Sequence, residues 1–278
     1  MNCRRRIRVL KDSFIMEENG KIRETIRQVL ASFQITEIAF LQAVHFRVLQ
    51  PHLMPENIQS AALWLMPYYT GAHPDRNVSL YSVSKDYHLF SRTVGNALVS
   101  ALSEEYPNEC FKAFCDSSPI DEVGAALQAG LGAVGKNRLL IHPVYGSYVF
   151  IGSLLMSVKI PCEPPKPVKT CLNCGMCGKA CAFLRGESEV CFSELNQRKV
   201  LSERELASVK SRPIRWGCDI CQEVCPMNRK VPLTPISFFY EDILENVTAE
   251  MLDGMSKADF RQRAYAWRGK KTIRRNVE

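Results

Sequence analysis

The chain has 278 residues, of which 46% are hydrophobic and 23% charged, so it is long enough for one or two folded domains and is not a disordered tail. It contains 12 cysteines and has a formal net charge of +7. A disulfide scaffold is disfavoured, because such scaffolds are short secreted chains and the first residues here lack the apolar core of a signal peptide. No apolar run reaches the roughly 18 residues of a membrane span. We therefore expect thiols in a reducing, cytoplasmic compartment and no membrane partner.

The positive charge is concentrated in two places. Residues 1–15 hold five Lys or Arg and one Asp, a net +4, and a helical pattern begins soon after Met16. This segment is therefore either a start assigned too early, with Met16 as the true start, or a disordered basic arm. The second cluster, residues 261–278, is either a solvated face or a contact for a polyanion.

Helix and strand patterns alternate along the first part of the chain. Apolar residues at helical spacing predict helices over 22–33, from near Asp86 to Leu102, and over 120–129. Short apolar runs predict strands over 35–40, 61–66, 110–115 and 148–158. This alternation predicts an α/β (α+β) domain.

Prolines mark the clearest domain boundary. Pro161, Pro164, Pro165 and Pro167 fall within seven residues, which excludes a helix or a central strand there and indicates a linker. We predict four segments: a basic N-terminal segment over 1–15, an α/β domain over 16–160, a cysteine-rich domain over 161–235 and a helical basic tail over 236–278.

Two cysteine motifs lie between residues 171 and 225. The first has the spacing C-x2-C-x2-C-x3-C, and the second has C-x2-C-x3-C followed by Pro226. Three closely spaced thiolates can hold one 4Fe–4S cluster while a fourth reaches a second cluster, as in bacterial two-cluster ferredoxins. Zinc is disfavoured, because zinc ribbons usually use two C-x2-C pairs. The spacing therefore predicts a ferredoxin-like domain with two 4Fe–4S clusters.

Two such clusters need eight thiolates, and the motifs supply seven. Cys191, between the motifs, is the expected eighth ligand. With cross-over between the motifs, the first cluster is assigned to Cys171, Cys174, Cys177 and Cys225. The second cluster is assigned to Cys181, Cys191, Cys218 and Cys221. The remaining cysteines are expected to be free thiols, namely Cys3, Cys110, Cys115 and Cys162.

A glycine-rich segment, GLGAVGKN over 130–137, matches G-x-G-x-x-G and comes close to a P-loop. Both nucleotide motifs require a strand before the glycines and a helix after them. The order here is reversed, with a helical pattern before and an extended pattern after. We therefore reject a nucleotide site and expect Gly130 to end a helix, although clustered glycines also allow close approach to a large ligand.

Asp116 follows the predicted strand over 110–115. It either caps the next turn or helix or acts as a general acid, and nothing local decides between the two. His88 and His142 are isolated histidines, for which a structural role is favoured.

Several segments together resemble the epoxyqueuosine reductase family. They occur in the family's order between about residue 20 and residue 276. The segments are KDYH, CDSSPIDE, AGLGAVGKN, PVYGSYVFIG, the first cysteine motif, WGCDICQEVCPMN and AWRGKKTIRRN.

The resemblance implies an enzyme of queuosine biosynthesis. Members of the family bind cobalamin in the α/β domain, and they reduce the epoxide of epoxyqueuosine in tRNA with electrons passed through two 4Fe–4S clusters. The match places Asp116 as the proton donor. It also implies corrin contacts at Arg47, Lys136, Asn137 and Ser147. A ferredoxin or flavodoxin-type protein is the implied electron donor.

Longer members of the family continue into a helical-repeat domain that helps to hold tRNA, and this chain ends where that domain would begin. We therefore expect a short form, in which the basic tail and a basic face of the cluster domain contact tRNA phosphates. That face comprises Arg212, Arg215, Arg229 and Lys230. The alternatives are a corrinoid and iron–sulfur reductase of a different small substrate, or a two-cluster electron-transfer protein.

Overall fold

The computed structural model describes residues 3–162, 168 and 170–278, with side chains from residue 18 onward. The chain divides into two compact units, each built from three segments. Unit 1 comprises residues 1–66, 91–131 and 151–167. Unit 2 comprises residues 67–90, 132–150 and 168–278. Most of the predicted proline linker lies outside the described residues.

A four-stranded sheet is the centre of unit 1. Its strands are β1 (Ile38–Gln42), β2 (Ser60–Pro67), β3 (Phe111–Phe114) and β6 (Val149–Met156), in the order β1-β2-β6-β3. β1 is antiparallel to β2, with Phe40 opposite Ala62, and β3 is antiparallel to β6. Every residue of β2 is buried, which is why its sequence is a continuous apolar run and not an alternating one.

Three helices accompany this sheet, α1 (Cys3–Ser32), α2 (Tyr87–Glu105) and α3 (Glu122–Gln128). Ile22, Ile26 and Leu30 form the buried stripe of α1. α2 packs closely on β3, because a Cβ atom at Gly95 would lie 2.7 Å from the Cβ of Ala113. The predicted boundary between a basic segment over 1–15 and the α/β domain falls inside α1, and the side chains of that segment lie outside the described part of the chain.

The predicted strand over 35–40 begins three residues later than expected, at Ile38. Gln34 has a left-handed backbone (φ 62°), and the N–H of Ile35 donates to the carbonyl of Leu30 at 3.0 Å. This is how an α-helix commonly ends, with an apolar residue folded back on its last turn. Ile35, only 1% exposed, therefore terminates α1 and does not start the strand.

Unit 2 is made of short elements. A two-strand hairpin, β4 (Ala133–Val134) with β5 (Leu140–Ile141), precedes the cysteine region. The cysteine region contains α4 (Met176–Ala180), α5 (Ala182–Arg185), α6 (Phe192–Asn196), α7 (Glu203–Lys210) and α8 (Ile220–Glu223). The last part contains α9 (Ala249–Gly254), α10 (Lys257–Phe260) and α11 (Lys270–Val277).

The domain division differs from the predicted one in a specific way. Trp216 from the cysteine region shares a buried core with Val78 and with the tail residues Val247, Leu252 and Ile273. Because one apolar cluster needs all three chain segments to bury it, residues 168–235 of the predicted cysteine-rich domain and the tail over 236–278 form a single unit. Residues 67–90 and 132–150, assigned by sequence to the first domain, belong to that unit as well.

Candidate functional site

The cysteines of unit 2 fall into two groups in space. Cys225 lies close enough to Cys171, Cys174 and Cys177 for their charges to interact, although it is 48 or more positions away from them in sequence. The second group places Cys218 and Cys221 within reach of Cys181 and Cys191. Cys177 also reaches Cys221, so the two groups are neighbours within unit 2.

The first group lines a cavity that is partly open to solvent. The hairpin residues Lys136, Asn137 and Ile141 form one wall. The remaining lining comes from the two cysteine segments, and it includes Cys171, Cys174, Cys177, Cys225 and Met227. A hydrogen bond from the Thr170 hydroxyl to the carbonyl of Ile141, 2.7 Å long, ties the hairpin to the start of the first cysteine motif.

The thiols of the second group are costly to ionise in the absence of a cation. Burial raises the pKa of Cys218 to about 11, and the nearby Asp219 carboxylate and Cys191 add to the rise. Burial and the neighbouring Cys218 raise the pKa of Cys221 to about 12. These thiols therefore favour the protonated form, and ligation of a metal or cluster would require them to lose their protons.

Thiol donors of this kind are suited to an iron–sulfur cluster or to a zinc ion. In a 4Fe–4S cube each thiolate binds a different iron, so the four sulfurs surround a space and do not meet at one point. Among the described residues, no group of three or more His, Cys, Asp or Glu side chains is arranged around one ion. Four thiols that line one cavity provide the donor type that a cluster needs. The assignment of particular cysteines to each cluster stays a prediction.

A buried hydrogen-bond network supports the second cysteine motif. Gln222 donates to the carbonyl of Ser147 at 2.9 Å, and Asn228 donates to the Ser147 hydroxyl at 2.9 Å. The Ser147 N–H donates to Asn228 Oδ1 at 2.8 Å. Ser147 is only 4% exposed and its polar atoms are used inside unit 2. The structure therefore gives Ser147 a structural role, which the sequence did not reveal.

A second buried interaction involves Asp219, which lies between Cys218 and Cys221 in the sequence of the second motif. Asp219 Oδ2 accepts the N–H of Leu80 at 2.8 Å and lies 3.2 Å from the Arg76 guanidinium. Arg76 also pairs with Glu223. Burial raises the pKa of Asp219 to about 6, and the interactions with Leu80 and Arg76 counteract that rise. Sequence reasoning missed Arg76 because 142 residues separate it from Cys218.

Asp116 lies in unit 1, at the end of β3. It is exposed and has a left-handed backbone (φ 62°), a conformation that Asp tolerates better than most residues. It is not the cap of α3. That role belongs to Asp121, whose Oδ1 accepts the N–H of Gly124 at 3.0 Å. The capping alternative for this helix therefore falls to Asp121.

Glu122 holds the Asp116 turn in place. One carboxylate oxygen accepts the N–H of Asp116 at 2.8 Å, and the other accepts the Ser153 hydroxyl at 2.9 Å. Burial raises the pKa of Glu122 to about 7; the Ser153 hydrogen bond opposes the rise, and the nearby Asp116 carboxylate adds to it. The segment CDSSPIDE contains this residue, but its spacing alone gave no reason to single it out.

The other predicted site residues are distributed as follows. Arg47, in unit 1, has a 78% exposed side chain and lies 3.8 Å from Asp121. Lys136 is exposed and Asn137 is buried, both in the hairpin of unit 2. His142 accepts from the N–H of Val144 at 3.3 Å, in keeping with a structural role.

The glycine segment has the order of elements that excludes a nucleotide site. α3 precedes it, the short strand β4 lies within it, and β5 rather than a helix follows it. Gly130 has a left-handed backbone (φ 80°), and its N–H donates to the carbonyl of Leu127. The prediction that Gly130 ends a helix is therefore confirmed.

The fold is that of solved epoxyqueuosine reductase structures. The structure from Streptococcus thermophilus matches with a TM-score of 0.74 and 22% identity, covering 92% of this chain and 79% of that one. A structure of an epoxyqueuosine reductase with an epoxyqueuosine-modified tRNA stem loop matches with a TM-score of 0.77 and 22% identity, covering 93% and 80%. No family model matches the chain.

Sequence comparison confirms the resemblance. The epoxyqueuosine reductase of Listeria monocytogenes is 35% identical over 208 residues, which are 69% of this chain and 53% of the relative. That of Cyclobacterium marinum is 31% identical over 201 residues, 67% of this chain and 64% of the relative. The chain is thus a homologue of the epoxyqueuosine reductases over about two thirds of its length, and it spans about half to two thirds of these relatives. Among the described residues, no helix has the length and hydrophobicity needed to cross a membrane.

Proposed function

We propose that this protein is an epoxyqueuosine reductase, which reduces the epoxide of epoxyqueuosine in tRNA to give queuosine. The observation that carries the proposal is the sequence match to epoxyqueuosine reductases at 30–36% identity, together with the thiol-lined cavity of unit 2. Removal of an epoxide oxygen as water consumes two electrons and two protons. An enzyme of this kind therefore needs an electron path and a proton donor.

The electron path is the pair of 4Fe–4S clusters, with a ferredoxin or flavodoxin-type protein as the donor. The first cluster is held by Cys171, Cys174, Cys177 and Cys225. The second cluster is held by Cys181, Cys191, Cys218 and Cys221. The grouping of the thiols in space and the cavity around the first group support this assignment.

Cobalamin, when bound, would supply the reducing chemistry at the epoxide carbon, and its assignment rests on the resemblance of the sequence motifs to the epoxyqueuosine reductase family. Ser147 is 4% exposed and its hydroxyl accepts a hydrogen bond from Asn228, so the support for it as a corrin contact is weaker than for the exposed residues. Arg47 and Lys136 are exposed and are retained as contacts.

The proton donor is Asp116. Its exposure gives the carboxyl access to a substrate, and the hydrogen bond from its N–H to Glu122 fixes the turn that presents it. Glu122 is therefore a positioning residue in this proposal.

The tRNA contact is carried by exposed cations. Arg229 and Lys230 are exposed beside the second cysteine motif. Much of the tail is committed elsewhere: Arg274 pairs with Asp253, and Arg275 donates to the carbonyls of residues 198 and 199. We therefore assign the phosphate contacts to Arg229 and Lys230 before those tail arginines.

Complementation tests the proposal directly. The chain is expressed in a bacterium that lacks its own epoxyqueuosine reductase, and the tRNA nucleosides are analysed by mass spectrometry. Conversion of epoxyqueuosine to queuosine is expected. Persistent epoxyqueuosine, with anaerobically purified protein that contains about eight irons per chain, would instead indicate a reductase of another substrate.

A further inference from the structure

The hairpin that faces the first cysteine group carries a buried amide with an unused donor. Asn137 is 8% exposed, and within the described residues its Nδ2 atom has no hydrogen-bond partner. Leaving a buried amide N–H unpaired is unfavourable. Such a group needs an acceptor that the described residues do not supply.

The orientation of the Asn137 amide is fixed by the hydrogen bond that its oxygen accepts. Asn137 Oδ1 accepts the N–H of Leu139 at 3.3 Å, and a backbone N–H can only donate, so the oxygen and nitrogen of the amide cannot be exchanged. Gly135 makes this geometry possible. A Cβ atom at Gly135 would lie 2.4 Å from Asn137 Oδ1 and 2.7 Å from the Cδ1 of Ile141.

The cavity beside the amide is lined by the four thiols of the first group. Asn137 lines the same cavity, and the Thr170 hydrogen bond to Ile141 ties its hairpin to the first cysteine motif. Cysteine and sulfide sulfurs accept hydrogen bonds, and such bonds raise the reduction potential of an iron–sulfur cluster because they stabilise the added negative charge.

We infer that the Asn137 amide donates a hydrogen bond to the first 4Fe–4S cluster or to one of its thiolate ligands, and so sets the potential of that cluster. This role replaces the corrin contact that the resemblance implied for Asn137. The inference rests on the clusters of the proposed function and is independent of the substrate.

Two substitutions remove the donor in different ways. Asn137→Leu is close in volume and neutral. Asn137→Asp keeps the oxygen that accepts from Leu139 and replaces the donor by an acidic acceptor. The matched control is Asn173→Asp, which adds the same charge at an exposed residue of the same cavity and keeps a residue that tolerates the left-handed backbone of position 173 (φ 53°).

The measurement is an anaerobic redox titration of the reconstituted full chain, followed by electron paramagnetic resonance. We expect full iron content in all variants. In Asn137→Leu the equilibrium constant for reduction of one cluster falls about tenfold, which is about 59 mV for a one-electron couple, while the other cluster is unchanged. Asn137→Asp shifts the same cluster further in the same direction, and Asn173→Asp shifts it less than Asn137→Leu does.

A spectroscopic readout separates a direct hydrogen bond from a general structural effect. Protein labelled with 15N should show a hyperfine coupling of the reduced cluster to a side-chain amide nitrogen, and Asn137→Asp should abolish it. Unchanged potentials at full iron content would overturn the inference and leave the proposed function intact. Wild-type protein that binds no iron under reconstitution would overturn both.

Discussion

Asp116 and Glu122 show how one hydrogen bond can link a turn to a helix. Asp116 adopts a left-handed backbone that residues other than Gly rarely take. The carboxylate of Glu122, which lies in the first turn of α3, accepts the N–H of Asp116. The same carboxylate accepts from Ser153 on β6. The backbone of Asp116 is thus tied, through Glu122, to a helix and a strand of unit 1.

Asp116→Asn tests the proton donor. An amide cannot donate a proton at neutral pH as a carboxylic acid does, so turnover should fall by at least about a hundredfold, the range of general acid catalysis. Iron content should stay at the wild-type value. The measurement is the rate of queuosine formation on epoxyqueuosine-containing tRNA, with the exposed Asp75→Asn as the control. Wild-type activity in Asp116→Asn would remove this residue from the acid role.

Glu122→Gln tests the buried carboxyl through its pH dependence. The folded pKa of about 7 lies above the ordinary value of 4.5, so the folded protein holds a proton that the unfolded chain releases, and stability falls as pH rises between these values. Between pH 6 and pH 8 this amounts to about 1 kcal/mol.

The glutamine variant lacks this titration. Between pH 6 and pH 8, its free energy of unfolding, measured with denaturant, should therefore decrease by about 1 kcal/mol less than the free energy of unfolding of the wild type does. Substitution of the exposed Glu56 by Gln should leave the wild-type profile unchanged. A parallel pH profile for Glu122→Gln and wild type would show that Glu122 is ionised throughout.

At the scale of elements, the cysteine loops combine local spacing with a long-range contact. Three thiols of the first group come from one loop of seven residues, whereas Cys225 comes from the second motif. The helices between the motifs are only four to eight residues long. Such short helices are marginal by themselves, so their packing and the bound clusters are expected to determine how firmly the loops are held.

Cys191→Ser tests the eighth ligand. Loss of one thiolate from the second cluster should reduce the iron content of reconstituted protein from about eight to about four per chain, because the first cluster keeps all its ligands. Cys162→Ser is the matched control, since Cys162 donates to the carbonyl of Ile160 and a serine hydroxyl can do the same. Eight irons in Cys191→Ser would mean that another group completes the second cluster.

Element boundaries were predicted well where the pattern was long and poorly where a helix ended. The buried run over 61–66 lies within β2, and the helix expected near Asp86 begins at Tyr87. The strand expected at Ile35 begins at Ile38, because an apolar residue after a helix satisfies the same pattern as the first residue of a strand. Only the backbone of Gln34 distinguishes the two cases.

At the scale of the whole molecule, the predicted tRNA contact depends on which cations are available to phosphate. Arg229 and Lys230 are exposed, whereas Arg274 is paired with Asp253 and Glu278. The net charge of the basic tail therefore overstates the number of its cations that are available to phosphate. Arg274 and Arg275 make the intramolecular contacts that are expected of ordinary surface and structural groups.

The double substitution Arg229→Glu and Lys230→Glu should weaken tRNA binding and reduce the slope of log Kd against log salt concentration by about 1 to 2, because each phosphate contact contributes just under one unit. Binding is measured by titration at several salt concentrations. Arg274→Gln is the control, and its slope should equal that of the wild type. An unchanged slope in the double variant would place the phosphate contacts elsewhere.

The sequence by itself determined the cysteine spacing, the alternating α/β elements, the reversed order around the glycines and the resemblance to the epoxyqueuosine reductases. These are local properties, in which the neighbours along the chain carry the information. The tertiary structure decided which distant residues meet: Cys225 with the first motif, Glu122 with Asp116 and Ser153, and Trp216 with the tail. It also showed that Ser147 belongs to a buried hydrogen-bond network and that the buried Asn137 amide nitrogen has no partner among the described residues, because burial and hydrogen-bond partners cannot be read from spacing along the chain.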